Sequence, residues 1–202
     1  NKKSDQGLGV RAVYKKAIGF AYTNKLNAKN IKETAARAYK AAKSSNPDKD
    51  WDKLPSSERF SEPKGTYDKK IAEMHFDELV EIASAMLEAA INYDKRILVV
   101  DGDAATSLFN TVVVNSQGIE VSDVGTAIGC SMETIARDGN DVTPACYELD
   151  TERVYDINAE GVGTEAARQA IMSLNAQKMR SDVFPVIFSQ AAFRSLLSYT
   201  VI

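Results

Sequence analysis

The sequence predicts an α+β fold, with helices packed on a mostly antiparallel sheet. Three observations lead there. A helical period recurs twice in the first half of the chain, a run of strand-like segments with strong turn signals fills the middle, and one further helical segment follows it. With 202 residues, 44% of them hydrophobic and 26% charged, the chain is long enough to bury a substantial core.

Val10, Ala12, Ile18, Phe20 and Tyr22 fall in two short apolar runs around Lys15-Lys16. That is the pattern of a hairpin with one buried face, and strands are predicted over residues 7–14 and 17–23. Asn27 is a good helix N-cap, and Ile31, Ala35, Ala38, Tyr39 and Ala42 form one apolar stripe, so a helix is predicted over 28–43. Pro47, Pro55, Pro63, Gly65, several serines and many charges then disfavour regular structure from Ser44 to Tyr67. Beyond them Phe76, Leu79, Val80, Ala83, Met86, Leu87 and Ala90 keep helical spacing up to Tyr93. Asp77, Glu78 and Glu81 sit near the positive end of that helix.

The middle reads as strands. Leu108–Val114 leads to a turn at Asn115-Ser116-Gln117-Gly118, and Ile119 and Val121 alternate with polar residues afterwards. Another strand is predicted over about 126–136, closed by Asp138-Gly139-Asn140-Asp141, with Val142–Leu149 returning antiparallel. Asn158 caps a third long helix carrying Val162, Ala166, Ala167, Ala170, Ile171 and Leu174 on one face. Asn175 stands where a left-handed residue ends it. Phe184–Phe188 is predicted as a short buried strand and Gln190–Ile202 as a final helix.

Charge and cysteine usage exclude several classes. The formal net charge is -3 and the lysine pairs (Lys2-Lys3, Lys15-Lys16, Lys69-Lys70) are dispersed, which argues against direct nucleic acid binding. Two cysteines are too few for a disulfide framework, and no apolar run is long enough to cross a bilayer; a cytoplasmic protein is expected. The chain starts on Asn1-Lys2-Lys3 and stops in Leu196-Leu197-Ser198-Tyr199-Thr200-Val201-Ile202, so both ends are expected to be cut.

Each candidate site has a plainer structural explanation. Gly161-Val162-Gly163-Thr164-Glu165-Ala166 matches the form of a dinucleotide loop, but no continuous apolar strand precedes it, and close helix packing explains its small residues better. His75 is the only histidine and reads as a helix-start residue. Cys130 and Cys146 fall in neighbouring predicted strands with no further Cys or His nearby, and read as small core residues rather than metal ligands. Asp101 and Asp103 flank Gly102, where an acid–base pair is conceivable and a polar turn after Ile97–Val100 is the stronger expectation. Ser107, Ser116 and Ser195 lack a nucleophile-elbow context. No catalytic, cofactor-binding or metal-ligating set emerges.

Three stretches carry a resemblance. They are Gln6-Gly7-Leu8-Gly9-Val10-Arg11-Ala12 with Ile18-Gly19-Phe20-Ala21-Tyr22-Thr23-Asn24, then Val114-Asn115-Ser116-Gln117-Gly118-Ile119-Glu120, and then Gly163-Thr164-Glu165-Ala166-Ala167-Arg168-Gln169-Ala170 through Phe184-Pro185-Val186-Ile187-Phe188. In that order they resemble the TldD/PmbA family. The resemblance implies an α+β N-terminal domain over 1–188, with a long loop at about 44–70, and the start of a truncated C-terminal domain at 189–202. It also implies a heteromeric peptidase. In the zinc-bearing branch, a Leu-Leu-His-Glu-x-x-x-His segment follows the Pro-Val strand, and zinc with the glutamate activates water. Here Ser198 and Tyr199 occupy the positions of the zinc-ligand histidine and the catalytic glutamate, which points to the metal-free PmbA/TldE-like branch. The implied partners are a TldD-like, zinc-bearing peptidase subunit or a second copy, and a peptide substrate. The alternative is a regulatory protein of the gyrase-modulator type, without a peptidase role.

Overall fold

The computed structural model describes residues 2–56 and 63–200, and the chain divides into two compact units. The first comprises residues 1–61 with 112–122, the second residues 62–111 with 123–202.

In the first unit, β1 (Leu8–Tyr14) and β2 (Ala17–Thr23) form an antiparallel hairpin in which Tyr14 pairs with Ala17. The two turn residues, Lys15 and Lys16, both have positive φ (50° and 68°), the backbone hand that suits a two-residue hairpin. Helix α1 (Ala28–Ser44) starts at Asn27, whose Oδ1 accepts from the Asn30 amide at 3.0 Å. It buries Thr34, Ala38 and Ala42 against β2. Gly19 is the reason this contact is so close: a Cβ there would collide with the α1 backbone at Ala38 and Ala42. The predicted stripe is therefore rotated. Ile31 and Tyr39 stay on the surface because the strand approaches the helix along the small residues rather than the large ones.

A four-stranded sheet, most of whose residues belong to the second unit, has β4 (Glu120–Asp138) at its centre. It is bounded by β3 (Ile97–Val114) on one side, and by β5 (Asp141–Val142) and β6 (Cys146–Glu152) on the other. Thr126, Ile128, Cys130, Met132, Thr134 and Ala136 of β4 alternate inward. They lie under α3 (Phe76–Tyr93) and α4 (Ala159–Met172), which pack on each other. Gly163 sets that helix pair, since a Cβ on it would strike the Met86 carbonyl and approach the Ala90 amide. Thr134 Oγ1 donates to the Ala166 carbonyl at 2.9 Å, tying helix to sheet through a satisfied buried hydroxyl.

Several expectations are corrected. Asp101 and Asp103 lie inside β3 rather than in a turn, because Ile97–Val114 is one long strand that pairs with β4. Asp103 accepts a hydrogen bond from Ser131 Oγ of β4 at 2.5 Å. Residues 120–138 likewise form one strand, not two. The return strand is broken: β5 pairs Asp138 with Asp141, and β6 resumes with Thr134 opposite Cys146. Pro144 lies in the gap and cannot donate to a ladder, while Thr143 fills in, its Oγ1 accepting from the Ala136 amide at 2.9 Å. A short helix α2 (Lys69–Ala72), capped by Asp68, stands at the end of the expected loop. On α3 the buried face is Ile82, Met86 and Ala90, leaving Phe76, Val80 and Leu87 exposed. The largest departure is Phe184–Phe188, which forms no strand. Val183 and Ile187 are 95% and 99% exposed, and α5 (Gln190–Thr200) buries no residue. An apolar run becomes a buried strand only against a hydrogen-bonding neighbour, and Pro185 withholds one donor of its own.

The turns behave as read. Asn115 Oδ1 accepts from the amides of Gln117 and Ile119, with Gly118 at φ 87°; Gly139 has φ 59°, and Asn175 ends its helix region at φ 57°. No helix among the described residues is long and apolar enough to cross a membrane.

Candidate functional site

Among the described residues, side chains of several elements converge at two surface grooves and at one polar cluster. In the first unit, the end of β2 and the outer side of α1 border an open groove of about 680 Å³ lined by Tyr22, Asn24, Lys25, Glu33, Arg37 and Lys40. Arg37 is fixed there, its guanidinium donating to the Tyr22 carbonyl at 3.0 Å and to Thr34 Oγ1 at 3.1 Å. Its cations and amides can hold a carboxylate or peptide carbonyls. They include no nucleophile with a base.

In the second unit the segment before α2 is stitched to the sheet. Arg153 Nε donates to the Thr126 carbonyl at 2.8 Å and its Nη2 to the Thr66 carbonyl at 3.1 Å, with the guanidinium 4.8 Å from the centre of the Phe109 ring. Thr126 Oγ1 donates to the Arg153 carbonyl and accepts from the Asp68 amide. Asp68 in turn accepts from the backbone amides of Tyr155 and Lys70, each at 2.8 Å. These two contacts, Tyr155 first, hold its carboxyl below the usual range. Lys70 Nζ lies 3.2 Å above the Tyr155 ring, at the rim of a groove of about 410 Å³ shared with Glu78, Glu81, Asn158 and Glu160. Sequence reading missed this cluster because its members are spread over 87 residues from Thr66 to Arg153; the one local signal was Asp68 as a helix N-cap before Lys69–Ala72.

The residues singled out from sequence are not brought together. His75 caps α3, its amide donating to Glu78 Oε2 at 2.8 Å. Cys130 is buried, and burial, with Asp150 and Asp103 nearby, pushes its thiol up to about 11, an inert structural thiol. Cys146 is half-buried on the next strand, with its residue paired to Thr134 rather than to Cys130. Gly161 faces the capping Asn158 side chain and Gly163 faces α3, so the Gly-x-Gly-x-x-Ala stretch serves helix start and helix packing. Ser116 lies in the β3–β4 turn, Ser107 on β3 and Ser195 on α5, where its hydroxyl donates to the Ala191 carbonyl.

Ser198 and Tyr199 also lie on α5. Ser198 Oγ donates to the Ser195 carbonyl at 2.8 Å, and the Tyr199 side chain is 89% exposed. An alcohol spent on its own helix backbone and a neutral phenol do not fit zinc coordination or the activation of water. Among the described residues no group of three or more His, Cys, Asp and Glu is placed to hold a metal ion.

Comparison with known proteins adds the following. The sequence model of the PmbA/TldA metallopeptidase central domain matches residues 69–174, and that of the PmbA/TldA metallopeptidase domain 1 matches residues 1–42. The chain is 29% identical over 196 residues to an uncharacterised protein of Methanocaldococcus jannaschii, covering 96% of this chain and 43% of that protein. It is 25% identical over 213 residues to the metalloprotease PmbA of Escherichia coli O157:H7, covering 98% and 44%. Among solved structures it is similar to TldE from Thermococcus kodakarensis, with a TM-score of 0.67 and 28% identity, covering 80% of this chain and 36% of that one. The chain thus spans less than half the length of these relatives.

Proposed function

Since this chain belongs to the PmbA/TldA metallopeptidase family, we propose that it is part of a metal-free, PmbA/TldE-like subunit of a heteromeric peptidase, whose zinc is carried by a TldD-like partner. The observation that carries this reading is the pair Ser198 and Tyr199 on α5. In the resemblance they stand where the zinc-bearing branch has a ligand histidine and a catalytic glutamate. Neither residue can take over those roles, because zinc hydrolysis needs a nitrogen, sulfur or carboxylate ligand and a base strong enough to take a proton from water. The likeness to TldE is consistent with the same branch.

In this role the chain contributes surface rather than chemistry. Its grooves offer backbone-directed cations and carboxylates suited to holding an extended peptide while the partner's metal site cuts it. Coexpression with a TldD-like subunit is expected to give a co-eluting complex that cleaves peptides, with stoichiometric zinc assigned to the partner. Tightly bound zinc on this chain purified alone, or two proteins that neither co-elute nor alter peptide cleavage, would overturn the proposal.

A further inference from the structure

The whole-chain charge of -3 hides an uneven division. Residues 1–44, which hold the β1–β2 hairpin and α1, carry nine lysines and two arginines against Asp5 and Glu33, whereas the rest of the chain carries 14 cations and 26 acidic residues. Averaged over the chain, the charge argues against a nucleic acid; taken alone, this basic segment does not. The hairpin has two faces. Gly19 turns one of them to α1, so the alternate residues Phe20 and Tyr22 point away from the helix. Both stay in water, 60% and 57% exposed, although they are the largest side chains of β2. Each ring lies against neighbouring backbone where only glycine leaves room: a Cβ on Gly9 would press on the Phe20 ring, and one on Gly7 would collide with the Tyr22 ring. Arg11 stands directly opposite Phe20 in the register and is exposed on the same face, and the exposed Lys25 follows the end of β2.

We propose that this face of the hairpin binds single-stranded nucleic acid, with Phe20 and Tyr22 each taking one base and Arg11 and Lys25 meeting the phosphates. A ring supported by backbone on one side and open on the other is a stacking surface that any base can use. Side chains two residues apart on a strand are about 6.6 Å apart, roughly twice the ~3.4 Å spacing of nucleotides in a stacked strand. The pair therefore suits an extended strand with splayed bases, not a duplex whose bases are shut in the stack. The cations supply the sequence-independent attraction. An acidic peptide would use those cations and leave the two rings without a role, which favours the nucleic acid. The site shares no residue with α5 and is independent of the peptidase role.

Fluorescence anisotropy of labelled oligothymidine and oligouridine of about 12 nucleotides, titrated with the full chain at low salt, is the test. Saturable binding of either is expected, weakening as salt is raised, and the tighter of the two tells DNA from RNA. A duplex of the same length and polyglutamate, added as competitors, are each expected to displace the strand at least about tenfold less well than unlabelled oligonucleotide. Phe20→Ala with Tyr22→Ala should weaken binding about tenfold or more, whereas Phe20→Tyr with Tyr22→Phe, which keeps both rings, should leave it within about twofold. Arg11→Gln is expected to reduce the slope of log affinity against log salt by about one. Circular dichroism verifies that the variants are folded. No binding at low salt, an affinity indifferent to removal of both rings, or displacement by duplex or polyglutamate as readily as by the oligonucleotide each overturns the proposal.

Discussion

Residues 69–174 and residues 176–200 have similar apolar content and opposite fates. In the first stretch the apolar positions of β4 alternate under α3 and α4, and Ile128, Met132, Met86 and Ala166 are sealed from water. In the second, Val183, Val186, Ile187 and Tyr199 are among the most exposed side chains of the chain. What separates them is geometric opportunity rather than hydrophobicity. The first stretch has a central strand with neighbours on both edges and two helices brought close by Gly163; among the described residues the second pairs with no strand and closes on no glycine-lined face.

Substitutions can break that contrast or sharpen it. The largest effect is expected from Ile128→Ala, which opens a cavity under α4 and should cost about 3 kcal/mol in urea unfolding. The same truncation at Ile187 should stay within about 0.5 kcal/mol, and equal losses at the two sites would erase the distinction. Next comes Gly163→Ala, expected to cost about 2 kcal/mol because the methyl group must push α4 off the Met86 carbonyl. Thr134→Val keeps the shape and loses the hydroxyl bond to Ala166, for about 1 kcal/mol. Alkylation should divide the cysteines within the packed stretch: Cys146 reacts in the native protein, and Cys130 only on the timescale of unfolding.

The smallest effect is a titration. Arg96 donates to Asp94 at 2.7 Å and to Asp138 at 3.0 Å, and this side-chain bonding lowers the Asp94 carboxyl to about 2. A depressed folded value means that the contribution is present above the unfolded value of 3.8 and is lost as pH falls from there towards about 2. Carboxyl chemical shifts should show this midpoint, and Asp94→Asn should remove the corresponding acid-side change in stability.

Much of this was legible in the sequence where the signal is local. The caps Asn27 and Asn158, the turns at Asn115–Gly118 and Gly139, and the left-handed Asn175 depend on two to five neighbouring residues and came out as read. The faces did not. Periodicity placed Phe76, Val80 and Leu87 on the core side of α3, but a helix with more than one apolar face does not announce which one its neighbours will choose. The polar pair around Gly102 read as a turn because the long-range pairing of β3 with β4 that overrides it leaves no mark within a short window. For the candidate site, Ser198 and Tyr199 were singled out only through the family resemblance, while the Arg153–Thr126–Asp68 cluster depended on contacts between distant segments.

The Lys15-Lys16 turn bears on the order of folding. Two side-chain-bearing residues held at positive φ cost roughly 1–2 kcal/mol each relative to glycine, so the β1–β2 hairpin has a weak seed of its own. Helix α1, with its Asn27 cap and alanine-rich face, needs no such strain, and Gly19 gives it a place to receive the strand. The first unit is therefore expected to nucleate on the helix and to add the hairpin by docking. In rate measurements, Lys16→Gly should accelerate folding, moving the hairpin from follower to co-nucleus.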